Sequence, residues 1–225
     1  MPKPRARHVA PRDSTWWDPA DRGWWIAVLF AVGATCFALG AAPGYVDAVG
    51  VPADGVTFFV GSLFFTSAAA LQFLEVAGRR AADPVDWWAG AVQLAGTLLF
   101  NVSTGVAMAQ HLTARQEDRL VWRPDAFGSI AFLVASGLAW WATCRGWWSW
   151  RPRDLSWSIA ALNLAGSIAF GVSAVASYVV PTEDQPRNVA LMNLGTFVGA
   201  LCFLAGALLL LPERTRAPAL ASSRA

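Results

Sequence analysis

The sequence predicts an all-α fold, a polytopic membrane bundle of six transmembrane helices built from three tandem helical hairpins. Three observations predict it. Only 14% of the 225 residues are charged while 56% are hydrophobic, against roughly 25% charged in ordinary soluble domains. Six stretches carry no Asp, Glu, Lys or Arg, at 23–46, 55–74, 87–114, 126–144, 155–182 and 188–212. Glycine, serine and phenylalanine recur at constant offsets between alternate stretches.

Each stretch meets or nearly meets the roughly 20 apolar residues, at about 1.5 Å rise each, that span a hydrocarbon layer about 30 Å thick. None alternates with period 2, and backbone amides in lipid must be paired within their own segment, so helices are expected rather than barrel strands. The expected organisation is a basic arm over 1–23, a membrane domain over 24–212 with hairpins at about 24–77, 87–145 and 155–212, and a tail over 213–225.

In the arm, Pro2, Pro4, Pro11 and Pro19 interrupt Arg and His, so no continuous helix is expected there. Trp16, Trp17, Trp24 and Trp25 would anchor its end at the membrane surface. In the first span, Ala38-Leu39-Gly40 imitates a signal-peptide cleavage site. The long polar lead and the membership of this span in a repeat favour a retained helix. The second span carries Gly61, Ser62 and Phe65, then Gln72 and Glu75, with Arg79 four residues on as an ordinary helical ion-pair partner. A proton or coupling-ion role for Glu75 is the alternative, although transport carboxylates usually sit deeper. The third span holds Gln93, Asn101, Ser103 and Thr104, the fourth Gly128, Ser129 and Phe132, the fifth Asn163, Ser167 and Ser173, and the sixth Asn193, Gly195 and Gly199. A tail after Pro212 is expected to be irregular.

Orientation follows from the basic residues, which stay on the cytoplasmic side. With the N-terminus inside, the inner segments hold Lys3, Arg5, Arg7, Arg12, Arg22, Arg79, Arg80, Arg145, Arg151, Arg153, Arg214, Arg216 and Arg224, leaving only Arg115, Arg119, Arg123 and Arg187 outside. Both termini are then cytoplasmic. Every tryptophan except Trp122 falls at the inner interface under the same topology. Sixteen arginines to one lysine and abundant alanine suit a GC-rich bacterial genome, and a bacterial inner membrane is the expected address.

Self-comparison supplies the repeat. Trp87, Gln93-Leu94-Ala95-Gly96-Thr97, Phe100 and Val102-Ser103 return 70 residues later as Trp157, Asn163-Leu164-Ala165-Gly166-Ser167, Phe170 and Val172-Ser173. The first span keeps Trp24, Gly33 and Phe37 at the same spacing. The even spans share Gly61-Ser62 with Phe65, Gly128-Ser129 with Phe132, and Gly199-Ala200 with Phe203. Two crossings per unit make these parallel repeats, able to surround an axis along the membrane normal.

The runs Val60-Gly61-Ser62-Leu63-Phe64-Phe65 and Phe127-Gly128-Ser129-Ile130-Ala131-Phe132 resemble the hairpin of the YrhK-like domain, a two-helix bacterial membrane module of uncharacterised function. The sixth span matches less closely, with Ala200 in place of serine. The resemblance implies a helical hairpin and no activity.

Gly61, Gly96, Gly128, Gly166, Gly195 and Gly199 are candidates for close helix approach, and Gly195 with Gly199 form a G-x-x-x-G pair that serves either internal contacts or a homo-oligomer. Matched amides at Gln93 and Asn163, with Asn101 and Asn193, either line a polar path between repeats or pin helices together. His8 and His111 are too few and too far apart for a bis-histidine haem or an H-E-x-x-H zinc site. Cys36, Cys144 and Cys202 have no C-x-x-C spacing. Lys3 is the only lysine, no G-x-S-x-G occurs, and no Walker A loop is present. No catalytic, cofactor or metal site is therefore expected. Expected partners are the lipid bilayer and a second copy or another membrane protein, not nucleic acid. The leading reading is a non-enzymatic structural or interaction component, with a small transporter or channel as the alternative.

Overall fold

An aspartate starts each helix that rises from the tryptophan-rich end. The side chain of Asp21 accepts from the Gly23 amide, Asp83 from Val85 at 2.8 Å and Asp154 from Ser156 at 3.0 Å, each cap contributing about 1 kcal/mol. The computed structural model describes residues 16–79, 83–109, 112–180 and 185–222, with the side chains of 179–180, 185–186 and 213–222 left aside. The elements are α1 (Arg22–Gly40), α2 (Tyr45–Val49), α3 (Val51–Ala77), α4 (Pro84–Ala107), α5 (Ala114–Glu117), a π-turn (Asp118–Trp122), α6 (Arg123–Cys144), α7 (Leu155–Ala176), β1 (Val179–Val180), β2 (Gln185–Pro186) and α8 (Val189–Ser222). Apart from the minimal antiparallel β1–β2 pair, the fold is helical. Among the described residues, six helices are long and apolar enough to cross a membrane, with the stretch from Ala114 to Cys144 counting as one. They suit a multi-pass integral membrane protein.

Neighbouring spans pack side by side in the order α1, α3, α4, α6, α7, α8, and α8 returns against α1 to close a ring. Inside each sequential pair the approach is set by facing glycines. A Cβ on Gly33 would lie 2.9 Å from the Gly61 carbonyl oxygen, one on Gly96 3.2 Å from that of Gly128, and one on Gly166 3.0 Å from that of Gly199. Hydroxyl bonds join one hairpin to the next, Ser62 on α3 to Thr104 on α4 at 3.0 Å and Ser136 on α6 to Ser167 on α7 at 2.7 Å, and a third, Ser173 to Thr196 at 2.8 Å, reinforces the α7–α8 contact.

The ring is filled at mid-height by one phenylalanine from each span. Phe37, Phe100 and Phe170 form a triangle with centroids 6.0–6.4 Å apart, and Phe65, Phe132 and Phe203 form a second, 5.7–6.2 Å apart. Struts of 5.6, 5.3 and 5.4 Å join Phe37 to Phe65, Phe100 to Phe132 and Phe170 to Phe203. The result is a trigonal prism of six rings, each at most 8% exposed. The pair geometries suit aromatic quadrupoles, at about 0.5–1.5 kcal/mol per pair beyond area burial.

Several expectations are corrected. The fourth span does not start at residue 126: a capping box at Thr113 and Gln116 opens a helix at Ala114 that continues through the π-turn into α6. The π-turn precedes Pro124, whose missing N–H and bulky ring disrupt ordinary i to i−4 bonding; the Arg123 amide reaches back to Asp118 instead. Helical spans therefore hold carboxylates besides Glu75: Asp54 lies in the first turn of α3 and Asp125 inside the stretch from Ala114 to Cys144. Span ends drawn at charges exclude such residues by construction, whereas the helices end where their caps are.

Pro212 does not end the last helix, which runs to Ser222; an already nucleated helix tolerates the loss of one backbone bond. Gly195 is spent within the chain: a Cβ there would lie 2.8 Å from the Ala169 oxygen and 2.9 Å from the Ser173 Cβ. The arm over 1–15, Arg80 and His111 lie outside the described residues.

Candidate functional site: a blind cavity at the tryptophan-rich end

Three side-chain amides, Gln72, Gln93 and Asn163, line a cavity on one side of the phenylalanine prism. Counting along the helices from the prism shows why. Gln72 follows Phe65 by seven residues on α3, while Gln93 and Asn163 precede Phe100 and Phe170 by seven on α4 and α7. Seven residues are about two turns, so all three amides return to the face that carries the phenylalanine. Because α3 runs toward the tryptophan-rich end and α4 and α7 run away from it, all three fall on that side of the prism.

There they line a cavity of about 1020 Å³ that opens at the tryptophan-rich end. Small residues make the room, among them Ala89, Gly90, Ala139 and Ala160. At its deep end, a chamber of about 100 Å³ shares Gln72, Gln93 and Asn163 with the outer cavity and is floored by Phe65, Phe132 and Phe203. Gly206 leaves space for the side-chain Oδ1 of Asn163, which a Cβ at 206 would meet at 3.0 Å. The side chains of Gln72, Gln93 and Asn163 make no hydrogen bond to any described residue. Asn163 is engaged only through its backbone oxygen, which accepts from Ser136 at 3.3 Å.

The mouth carries both signs of charge, with four carboxylates, Asp21, Glu75, Asp86 and Asp154, against three guanidinium groups, Arg22, Arg79 and Arg153. Glu75 pairs with Arg79 at 2.9 Å, as the i to i+4 spacing leads one to expect, with the arginine 54% exposed. Such a pair is held at the rim rather than in the interior.

Asn101 and Asn193 do not join this site. The Asn101 side-chain oxygen accepts from Thr66 at 3.1 Å across the α3–α4 contact, and Asn193 is exposed near the start of α8. Of the amides expected to lie on one path, two meet in the cavity, one fastens helices and one faces outward. Gln72 and the three floor phenylalanines complete the chamber; the recurring Phe65, Phe132 and Phe203 were the signal for the floor, but spacing alone does not say that they meet on an axis.

The tryptophans form a girdle around the mouth. Trp24 donates to the Trp16 carbonyl at 3.0 Å, Trp25 to Pro19 at 3.0 Å, Trp140 to Trp147 at 3.1 Å and Trp157 to Ser149 at 2.8 Å. These bonds hold the connecting segments in place while Trp147, Trp148 and Trp150 stay 71–90% exposed. At the opposite end Trp122 donates to the Ala174 carbonyl at 2.9 Å and stacks edgewise on Tyr178.

Among the described residues, no three His, Cys, Asp or Glu side chains gather as a metal site would need. Neither a protein-family model, nor a curated protein, nor a solved structure matches this chain.

Proposed function

We propose that this chain is a non-enzymatic component of the bacterial inner membrane that binds a small molecule in a cavity open to the cytoplasm, without forming an open pore. One observation carries the reading: the cavity reaches the amides at Gln93 and Asn163 and then stops at the prism floor. A cavity of about 1020 Å³ stands at the upper edge of the range used for small-molecule ligands, about 300–1,000 Å³. The cytoplasmic placement of the mouth and of both termini rests on the bias of arginine toward that side. The three hairpins are read as repeats about a pseudo-threefold axis, supported by the facing glycines and by the two ring triangles. Kinship with YrhK-like hairpins is part of the same proposal and rests on the Gly-Ser-x-x-Phe wording alone. A second copy or another membrane protein as partner remains compatible with the exposed outer faces of the ring.

A transporter caught with its cavity facing one side is the second reading, favoured by the same approach of the cavity to the amides. Single cysteines at Gln93 and Asn163, in a background with Cys36, Cys144 and Cys202 changed to Ala, test both in oriented membrane vesicles. A membrane-impermeant maleimide should label both positions from the cytoplasmic face only. Labelling from both faces at once would establish a pore; no labelling from either would remove the cavity. A side that switches with conditions would establish alternating access.

A further inference from the structure

We infer that the deep chamber binds an uncharged, flat heterocycle whose edge both donates and accepts hydrogen bonds, of the lactam or carboxamide kind. The inference rests on the blind-cavity reading above.

Charge is the first constraint. No ionisable side chain lines the chamber, and the nearest carboxylate toward the mouth, Glu75, is already paired with Arg79. A charged ligand seated there would exchange part of its hydration for apolar rings and neutral amides, with no opposite charge to receive it. A neutral molecule needs none.

Hydrogen bonding is the second. Gln72, Gln93 and Asn163 come from three different helices, and each presents a primary amide with no described protein partner. A primary amide offers a carbonyl acceptor beside an N–H donor, so its complement is a group with the same pair reversed, as in a lactam or carboxamide. An alcohol or ether matches only half of it. Leaving three such amides without a partner is unfavourable wherever water is scarce.

Shape is the third. The floor is the triangle Phe65, Phe132 and Phe203, which meets a ligand with aromatic surface and offers nothing to a polar face. A volume of about 100 Å³ admits one small ring, and whatever else a ligand carries would have to lie in the outer cavity. An apolar face toward the floor and a donor–acceptor edge toward the amides describe a flat heterocycle.

The test uses the full chain in detergent and two probe pairs that differ in charge but little in shape: nicotinamide with nicotinate, and pyrazinamide with pyrazinoate. Binding is read by equilibrium dialysis and by thermal stabilisation. At least one neutral probe should bind, with its charged counterpart at least tenfold weaker. Gln93→Leu and Asn163→Leu should each weaken the neutral probe about tenfold, the loss of about one well-made hydrogen bond. Gln93→Glu, which keeps the size and places a charge, provides a second variant should leucine disturb folding, and it should abolish neutral-probe binding. Neutral and charged probes binding alike, no probe binding, or leucine variants that bind as the parent does would each overturn the inference. If cysteine labelling still reaches Gln93 and Asn163 from one face, such a failure falls on the ligand class; if labelling fails, it falls on the cavity.

Discussion

Replacing Gly195 by Ala sets two opposing effects against each other, and the structure decides between them. In a helix interior the added methyl favours folding by about 1 kcal/mol relative to glycine. Here the new Cβ would lie 2.8 Å from the Ala169 oxygen, 2.9 Å from the Ser173 Cβ and 3.0 Å from the Ser173 nitrogen. Two of these are backbone atoms of the facing helix, and none is the far end of a flexible side chain, so α7 and α8 must separate locally by about half an ångström. Overpacking of that kind costs about 1–3 kcal/mol. The same movement strains the bonds from Ser173 to the Met192 carbonyl and to Thr196, both 2.8 Å long. The net expectation is a loss of about 1–2 kcal/mol, seen as a fall of about 3–6 °C in the midpoint of thermal unfolding in detergent. Gly137→Ala is the control, because nothing lies within 4 Å of its Cβ position; it should be neutral or gain up to about 1 kcal/mol. Size-exclusion profiles distinguish internal packing from an oligomer contact. A Gly195→Ala protein as stable as the parent but altered in oligomeric state would refute the reasoning.

Other substitutions test separate parts of the structure. Glu75→Gln should change stability by no more than about 0.5 kcal/mol, since its partner Arg79 is 54% exposed; a large loss by thermal unfolding would show a deeper role for the carboxylate. Trp157→Ala should cost about 3–5 kcal/mol, because this ring is 8% exposed, is flanked by Trp140 and Trp150, and bonds to Ser149. Trp148→Ala, at a ring 90% exposed, should leave the unfolding midpoint in detergent unchanged. Ser136→Ala removes a buried 2.7 Å hydroxyl pair but leaves Ser167 bonded to the Phe132 carbonyl at 3.2 Å, so about 0.5–1 kcal/mol should be lost in the same assay.

Helix number was legible because lipid imposes a length and a polarity that neutral windows display directly. The mutual approach of Gly33 with Gly61, Gly96 with Gly128 and Gly166 with Gly199 was foreshadowed by glycines at matching places. Where helices begin was less legible: Asp54 and Asp125 looked like loop charges, yet a helix continues through a charge whenever its start is capped earlier, as at Thr113. Asn101, Asn193, Gln93 and Asn163 are alike as letters in apolar windows. Only the direction and rotation of each helix decide that Gln93 and Asn163 open into a cavity, that Asn101 meets Thr66, and that Asn193 faces out. Gln72 gains its importance from a different helix running the other way, a juxtaposition set by the closure of the ring.

The phenylalanine prism has an electrical consequence. A water-accessible cavity on one side carries the potential of that compartment inward as far as Phe65, Phe132 and Phe203. The membrane voltage then falls over the remaining depth of the bundle instead of the full hydrocarbon thickness, which steepens the local field. A full crossing of one elementary charge is worth about 2.3 kcal/mol per 100 mV, and a charge shifted only past the two ring layers would feel a disproportionate share of it. Six neutral rings in that position act as the dielectric of a thin capacitor.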